Sequence, residues 1–161
     1  SLRSDRMLDR DFANRFLAFY LFGPENYVPD LDTFMSQAMA QVNHLTAERL
    51  NTIKQDFLNS MILNFDVFGK HAFRKFDTIE GQRKPLNKAL FDVFAVTFAK
   101  LPSEKGASVR FKKDNIVMGL QKLIAEEDIF LRSISSSTSD RNRITYRFDA
   151  INRLLESTLG E

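Results

Sequence analysis

Apolar residues recur every three or four positions along most of this sequence, and this spacing constrains the fold more than any other feature. One face of the first predicted helix carries Phe12, Phe16, Phe19 and Tyr20. Similar stripes occupy residues 34–42, 50–65, 90–101, 117–124 and 144–155. The apolar–polar alternation of a half-buried β-strand occurs almost nowhere. The spacing therefore predicts an all-α fold.

Residues that start and stop helices divide these stripes into six helices. The predicted boundaries are Gly23-Pro24 after the first helix, Asp30 and Asp32 at the start of the second, Thr46 and Gly69 around the third, Pro85 in the first turn of the fourth, Asp114 near the start of the fifth, and residues 141–159 for the last, closed by Gly160. We also expect a short helix around residues 72–76, a short piece around 129–134 and a loop over 102–108. These features predict an irregular bundle of about six helices, forming a single domain over residues 1–161.

The aromatic residues are sixteen Phe and three Tyr, with no Trp. Because Phe has no polar group, most of these rings are expected in the core. The buried face of the third helix is predicted to comprise Leu50, Ile53, Phe57, Leu58, Met61 and Phe65.

The absence of cysteine excludes disulfides, thiolate zinc sites and a cysteine nucleophile. It fits a reducing compartment, so we expect a cytoplasmic protein. No stretch approaches the roughly 18 apolar residues of a membrane helix, and no membrane partner is expected. The polar start without an initiator Met predicts a fragment of a longer multidomain protein.

Side chains suited to an active site are sparse. The two histidines, His44 and His71, are far apart, and neither lies in a metal-ligand spacing such as HExxH. The acidic clusters at residues 9–11, 30–32 and 126–128 lie near predicted helix ends and lack a partner base. We therefore predict no catalytic residue, no metal ligand and no cofactor. An autonomous hydrolase would need a cleft that converges on a histidine or on these acids.

Basic residues are concentrated in the middle of the chain. Residues 70–113 contain eleven Lys/Arg and four acids, a net charge of +7, whereas the whole chain carries +2 and the remainder therefore −5. Such a segment suits a polyanionic partner, or it is simply a solvated face. Two short runs within it interleave cations with an aromatic ring, namely Arg74-Lys75-Phe76 and Arg110-Phe111-Lys112-Lys113. Each ring either stacks on exposed bases or anchors the core between solvated charges.

A second basic group follows the hydroxyl run at residues 135–139. Arg141, Arg143 and Arg147 fall on the opening turns of the last helix. Hydroxyl groups, a helix N-terminus and arginines are good phosphate donors. Asp140 would compete for the same arginines, and the alternative is a plain capped linker, flexible unless something binds it.

Three sequence elements stand in a particular order along the chain. The first combines residues 6–12 (RMLDRDF) with 15–20 (RFLAFY), the second is residues 85–91 (PLNKALF), and the third is the hydroxyl run with Arg143 and Tyr146-Arg147. Together they resemble the GmrSD-type family of DNA-defence proteins, which includes modification-dependent restriction subunits. Asp11 stands where the family pattern has Glu and keeps its charge. From the residues alone, Asn87 either caps a helix or braces a turn, and Arg15 either pairs with an acid or bridges to a neighbouring domain.

The family is characterised chiefly by an N-terminal ParB-like domain with an Asp-Gly-Gln-Gln-Arg motif, linked to nucleotide hydrolysis and nuclease activity. That motif is absent from this sequence. The resemblance therefore implies the helical portion that follows the catalytic domain, with that domain and DNA as partners. No catalytic residue carries over.

Two functions remain open. In the first, a noncatalytic module of a restriction or phage-defence protein contacts DNA through Arg74, Lys75, Arg110, Lys112, Lys113, Arg141, Arg143 and Arg147. In the second, the module packs against the catalytic domain or a second copy and touches no nucleic acid. DNA contact predicts clustered charge and salt-sensitive binding, whereas packing predicts an exposed apolar patch, expected around the first helix.

Overall fold

A computed structural model describes residues 2–160, with side chains from residue 3 onward. Ser1, where the fragment prediction was made, lies outside the described residues. The described chain folds into α1 (Leu2–Phe22), α2 (Leu31–Val42), α3 (Ala47–Phe68), α4 (Lys88–Ala99), α5 (Lys105–Phe111), α6 (Lys113–Glu126), α7 (Asp128–Ser133) and α8 (Arg141–Leu159). The predicted all-α class is confirmed, but these are eight α-helices rather than about six.

Most helix ends follow from local chemistry. Asp30 and Thr46 cap α2 and α3 by accepting hydrogen bonds from the amides of Thr33 and Arg49. Gly160 adopts the left-handed conformation, with φ of 79°, after α8. These boundaries lie where the sequence predicts them.

The segment between α3 and α4 differs from prediction. No helix covers residues 72–76; a 3-10 turn at Gly69–His71 is followed by an isolated bridge between Arg74 and Leu86. Phe73, at a positive φ of 61°, packs its ring against Phe91, and the two ring centroids are 5.0 Å apart. In place of the predicted helical turn, this segment is irregular, and its aromatic rings pack individually against the core.

Two further boundaries also differ. Asn87, rather than Pro85, marks the start of α4, because its Oδ1 accepts a hydrogen bond from the amide of Leu90 at 2.9 Å. The expected loop at 102–108 gives way to α5 from Lys105, which the fully buried Val109 anchors in the core.

Helix α4 is the centre of the bundle, with ten of its twelve residues buried. Helices α1, α3 and α8 all pack against it. None of the described helices has the length and apolar character needed to span a membrane.

Helix α3 buries only part of the predicted face, since Ile53 is in the core and Phe57 and Met61 pack against it. Leu50, Leu58 and Phe65 are exposed, whereas Ser60 and Asn64 are buried. The two polar side chains bond to the backbone of α4, since Ser60 Oγ donates to the carbonyl of Ala95 at 2.6 Å and Asn64 Nδ2 donates to that of Phe94 at 3.3 Å. The two polar side chains thus occupy the core side of α3 with their hydrogen bonds satisfied, and Phe65 lies on its exposed side.

Candidate nucleic-acid interface

The predicted nucleic-acid residues fall into two surface groups and one buried residue. The first group, here called the basic corner, is Arg110, Phe111, Lys112 and Lys113, where α5 meets α6. The second group is Lys75 and Arg143, which both contact residues 135–139, here called the hydroxyl turn. Arg74 and Arg141, their neighbours in sequence, make no described contact with it.

The aromatic rings of the two basic runs have opposite environments. Phe76 is 1% exposed and stacks on His71, so it anchors the core. Phe111 is 87% exposed, the highest value among the large exposed hydrophobic side chains described. The stacking alternative is therefore geometrically open for Phe111 and closed for Phe76.

Within the basic corner, the cations differ in their partners. Arg110 Nε bonds to Asp66 Oδ2 at 2.8 Å and ties the end of α5 to α3. Lys112 and Lys113 are exposed, with no side-chain ion pair to the described residues. The corner thus presents two free ammonium groups beside an exposed ring.

The hydroxyl turn is held in place rather than free. Lys75 Nζ donates to Ser135 Oγ at 2.7 Å, and Arg143 Nη1 donates to the carbonyl of Ser136 and to Ser136 Oγ. Asn87 Nδ2 donates to the carbonyl of Ile134 at 2.8 Å. The Tyr27 hydroxyl donates to the carbonyl of Ser139 at 2.6 Å. The linker is expected to be flexible only if nothing binds it, and side chains from distant segments do bind it here.

Asp140 does not compete for the arginine side chains in the way expected. Its Oδ1 accepts hydrogen bonds from the amides of Asn142 at 2.9 Å and Arg143 at 3.1 Å, which caps α8.

Arg74, which precedes Lys75, is bound to its own segment. Its Nη1 donates a hydrogen bond to the carbonyl of Lys84.

Arg147 is not part of the interface, contrary to the prediction. Its relative exposure is 0%, so it cannot reach an external phosphate and does not belong with the contact residues. Its Nη1 donates to the carbonyls of Ser133 at 2.9 Å and Thr138 at 2.8 Å. Its Nη2 lies 3.8 Å from Asp92 Oδ2.

Asp92 and Arg15 complete a buried charge cluster with Arg147. Arg15 grips Asp92 with two hydrogen bonds, of 2.9 Å from Nε and 2.6 Å from Nη2. Of the two roles open to Arg15, pairing with an acid is the one found. Sequence reasoning missed Asp92, although a lone carboxylate inside the apolar run of α4 was a usable signal.

The pKa values of this buried cluster reflect its desolvation. Burial lowers the pKa of Arg147 to about 10, against the attraction of Asp92. For Arg15, burial also disfavours the charged form, but the contact with Asp92 outweighs it and raises the pKa. Burial raises the pKa of Asp92 despite both guanidinium groups. One carboxylate thus balances two buried cations, and each charge depends on the others.

The histidines and acidic clusters do not converge on one cleft. His44 is exposed, and His71 is buried with Nε2 at 2.7 Å from the carbonyl of Ile79. Among the described residues, no cluster of histidine and carboxylate side chains could hold a metal ion. A groove of about 510 Å³ between α3 and α5 contains Asp56 and Arg110 but no histidine. Asp56 in this groove bonds to the Tyr20 hydroxyl at 2.5 Å.

Exposed apolar side chains form a stripe on α3. Leu58, Ile62 and Phe65 follow one another at helical spacing, and Ile62 and Phe65 are 55% and 66% exposed. On α1, Met7 and Leu8 are also exposed. Apolar surface is thus exposed on α3 as well as on the first helix, where Ala13 and Leu17 also line an apolar groove with Leu50 and Phe57.

No known protein family, curated protein or solved structure matches this chain. The resemblance of its sequence motifs to the GmrSD-type family therefore stays a prediction.

Proposed function

We propose that this chain is a noncatalytic helical module of a cytoplasmic, DNA-targeting restriction or phage-defence protein, and that it contacts nucleic acid through the basic corner. The observation that carries the proposal is Phe111, which is 87% exposed between cations. The defence assignment rests on the sequence resemblance. In this proposal a separate ParB-like domain of the same protein supplies catalysis.

The chemistry of the corner suits a nucleic-acid strand with accessible bases. Lys112 and Lys113 would each neutralise a backbone phosphate and release counterions. A base that stacks on Phe111 would remove the phenyl ring from water. Such stacking contributes about 1–3 kcal/mol per base to the free energy of binding. Arg110, already bound to Asp66, would position the ring more than it binds phosphate.

The test is fluorescence anisotropy with labelled single-stranded and duplex DNA, from low to physiological salt. We expect binding that weakens with salt and falls at least about tenfold in the double variant Lys112→Glu/Lys113→Glu. Phe111→Ala should weaken single-strand binding by about 5- to 150-fold and duplex binding less, because only unpaired bases can stack on the ring.

Lys54→Glu/Lys122→Glu is the matched control, because both lysines are exposed and the change in net charge is the same. Equal losses of affinity in both double variants would show that binding depends only on the overall charge of the protein. No binding by the wild-type protein at low salt would refute the proposal for this domain.

The apolar stripe on α3 favours a second candidate, an interaction module that packs on another protein surface or a second copy. For self-association, sedimentation velocity should show a species that grows with concentration and is lost in Ile62→Ser/Phe65→Ser. The control is Met7→Ser/Leu8→Ser, an exposed apolar pair on α1. If self-association is lost only in the control variant, the contact lies on α1. If the wild-type protein is a monomer at all concentrations, self-association is excluded.

A further inference from the structure

The hydroxyl turn is shaped by donors that reach its backbone from inside the protein. Arg147 Nη1 joins the carbonyl of Ser133, before the turn, to that of Thr138, within it. The Tyr27 hydroxyl holds the next carbonyl, that of Ser139. Because these acceptors are directed at buried donors, their partial negative charge is turned away from solvent.

Arg147 is itself held by charge in the core. It is fully buried, and its Nη2 lies 3.8 Å from the Asp92 carboxylate that Arg15 grips with two hydrogen bonds. Arg147 Nη2 and Nε make no hydrogen bond with the described residues. The guanidinium is therefore positioned by Asp92 electrostatically and by the two carbonyls through hydrogen bonds.

The outer side of the turn gathers groups that suit a phosphate. The hydroxyls of Ser135 and Ser136 meet Lys75 Nζ and Arg143 Nη1, although Lys75 comes from a segment 60 residues away in sequence. Arg143 contacts the turn through Nη1 alone, so its remaining guanidinium N–H groups are free for an anion.

The nearby acids have partners of their own. Asp128 forms an ion pair with Arg132 at 2.8 Å, and Asp140 caps the amides of α8. Neither carboxylate bonds to Lys75 or to the Arg143 guanidinium.

We infer that Arg147, held by Asp92 and Arg15, is a positioning residue that preforms the hydroxyl turn as a second phosphate contact, made by Lys75, Arg143 and the hydroxyls of Ser135 and Ser136. The inference rests on the proposed function, since the phosphate belongs to the nucleic-acid strand that also meets the basic corner. Arg147 acts through the backbone of the turn and never touches the ligand.

Two measurements on the whole chain test this role. Hydrogen exchange reports the order of the turn through the amides of Ser135, Ser136 and Asp140, which donate to backbone carbonyls. Anisotropy with the same single-stranded DNA reports binding. Arg147→Lys keeps the charge but loses the planar fork, and it should speed exchange at these amides and weaken binding, each by about tenfold.

Lys75→Gln, which removes only a bond to the side-chain hydroxyl of Ser135, should weaken binding and lower the slope of log K against log salt by about 1, with exchange unchanged. Tyr27→Phe is the second positioning variant, because it removes one donor to the turn without changing charge. It should loosen the turn and weaken binding even if Arg147→Lys fails to fold.

Two outcomes would overturn the inference. In one, Arg147→Lys and Tyr27→Phe speed exchange in the turn but bind DNA as tightly as the wild type does. In the other, neither variant changes the exchange rate. If the wild-type protein binds no DNA, the proposed function fails and the phosphate contact with it. The exchange data would still show whether Arg147 orders the turn.

Discussion

Asp92 is the one acid within α4, and two arginines from opposite ends of the chain approach it. Arg15 comes from α1 and Arg147 from α8, so the cluster joins three helices at the centre of the bundle. Arg15 and Arg147 both belong to the motifs on which the family resemblance rests. A folding role therefore accounts for those two motif residues without any contact to a ligand.

Substitution of Asp92 by Asn should be strongly destabilising. It keeps the shape of the side chain but leaves two buried guanidinium groups without a counter-charge, which costs about 3–5 kcal/mol. Urea unfolding at neutral pH measures the change in free energy. Asp77→Asn, in the exposed pair with Lys84, is the comparison and should cost no more than about 1 kcal/mol. Similar losses in the two variants would contradict a special role for the buried carboxylate.

Single residues were the hardest scale to predict from the sequence. Arg147 and Arg143 lie on the same helix four residues apart, yet one is fully buried and the other reaches the surface. Arginine is rarely buried, so its type argued for a surface position. Only the tertiary position of Asp92, fifty-five residues earlier, makes burial of Arg147 tolerable.

At the scale of helices, the N-cap of α2 has a titratable side chain. The hydrogen bonds that Asp30 accepts from the backbone amide and the side chain of Thr33 lower its pKa below the usual range. The capped state is thus favoured above the unfolded pKa of about 3.9 and is lost as the pH falls through the lower folded pKa.

Asp30→Asn should separate the cap from its charge, because Asn also caps helices well. Above about pH 5 the two proteins should unfold at closely similar urea concentrations. As the pH falls below about 4, the wild-type protein should lose stability more steeply than the variant. Parallel pH profiles would show that the Asp30 cap does not couple protonation to folding.

Helix ends were predictable where the signal is local, and helix faces less so. Asp30, Thr46 and Gly160 mark ends through bonds or backbone angles within a few residues. The buried face of α3 depends on carbonyls of α4, which Ser60 and Asn64 reach from another part of the chain. Apolar spacing alone cannot register such a polar contact, so it assigned Phe65 to the core.

For the whole molecule, the sequence predicted the all-α class but not how its charges are grouped. The basic residues of the middle segment separate between the corner, where α5 meets α6, and the hydroxyl turn, where Lys75 joins Arg143 of α8. Lys75 and Arg143 are 68 positions apart in sequence. Their common location follows from the packing of the segment after α3 beside the turn, which no spacing in the sequence encodes.

The central position of α4 has a consequence during synthesis. Sixty residues separate its end at Ala99 from the end of α8 at Leu159. At about 5–20 residues per second, a ribosome needs roughly 3–12 s to make that stretch. Until Arg147 of α8 is made, α1 and α3 can cover only part of a Phe-rich helix, and Asp92 has Arg15 as its partner but not yet Arg147. The order in which the helices leave the ribosome therefore sets how long the nascent chain leaves part of this apolar helix uncovered.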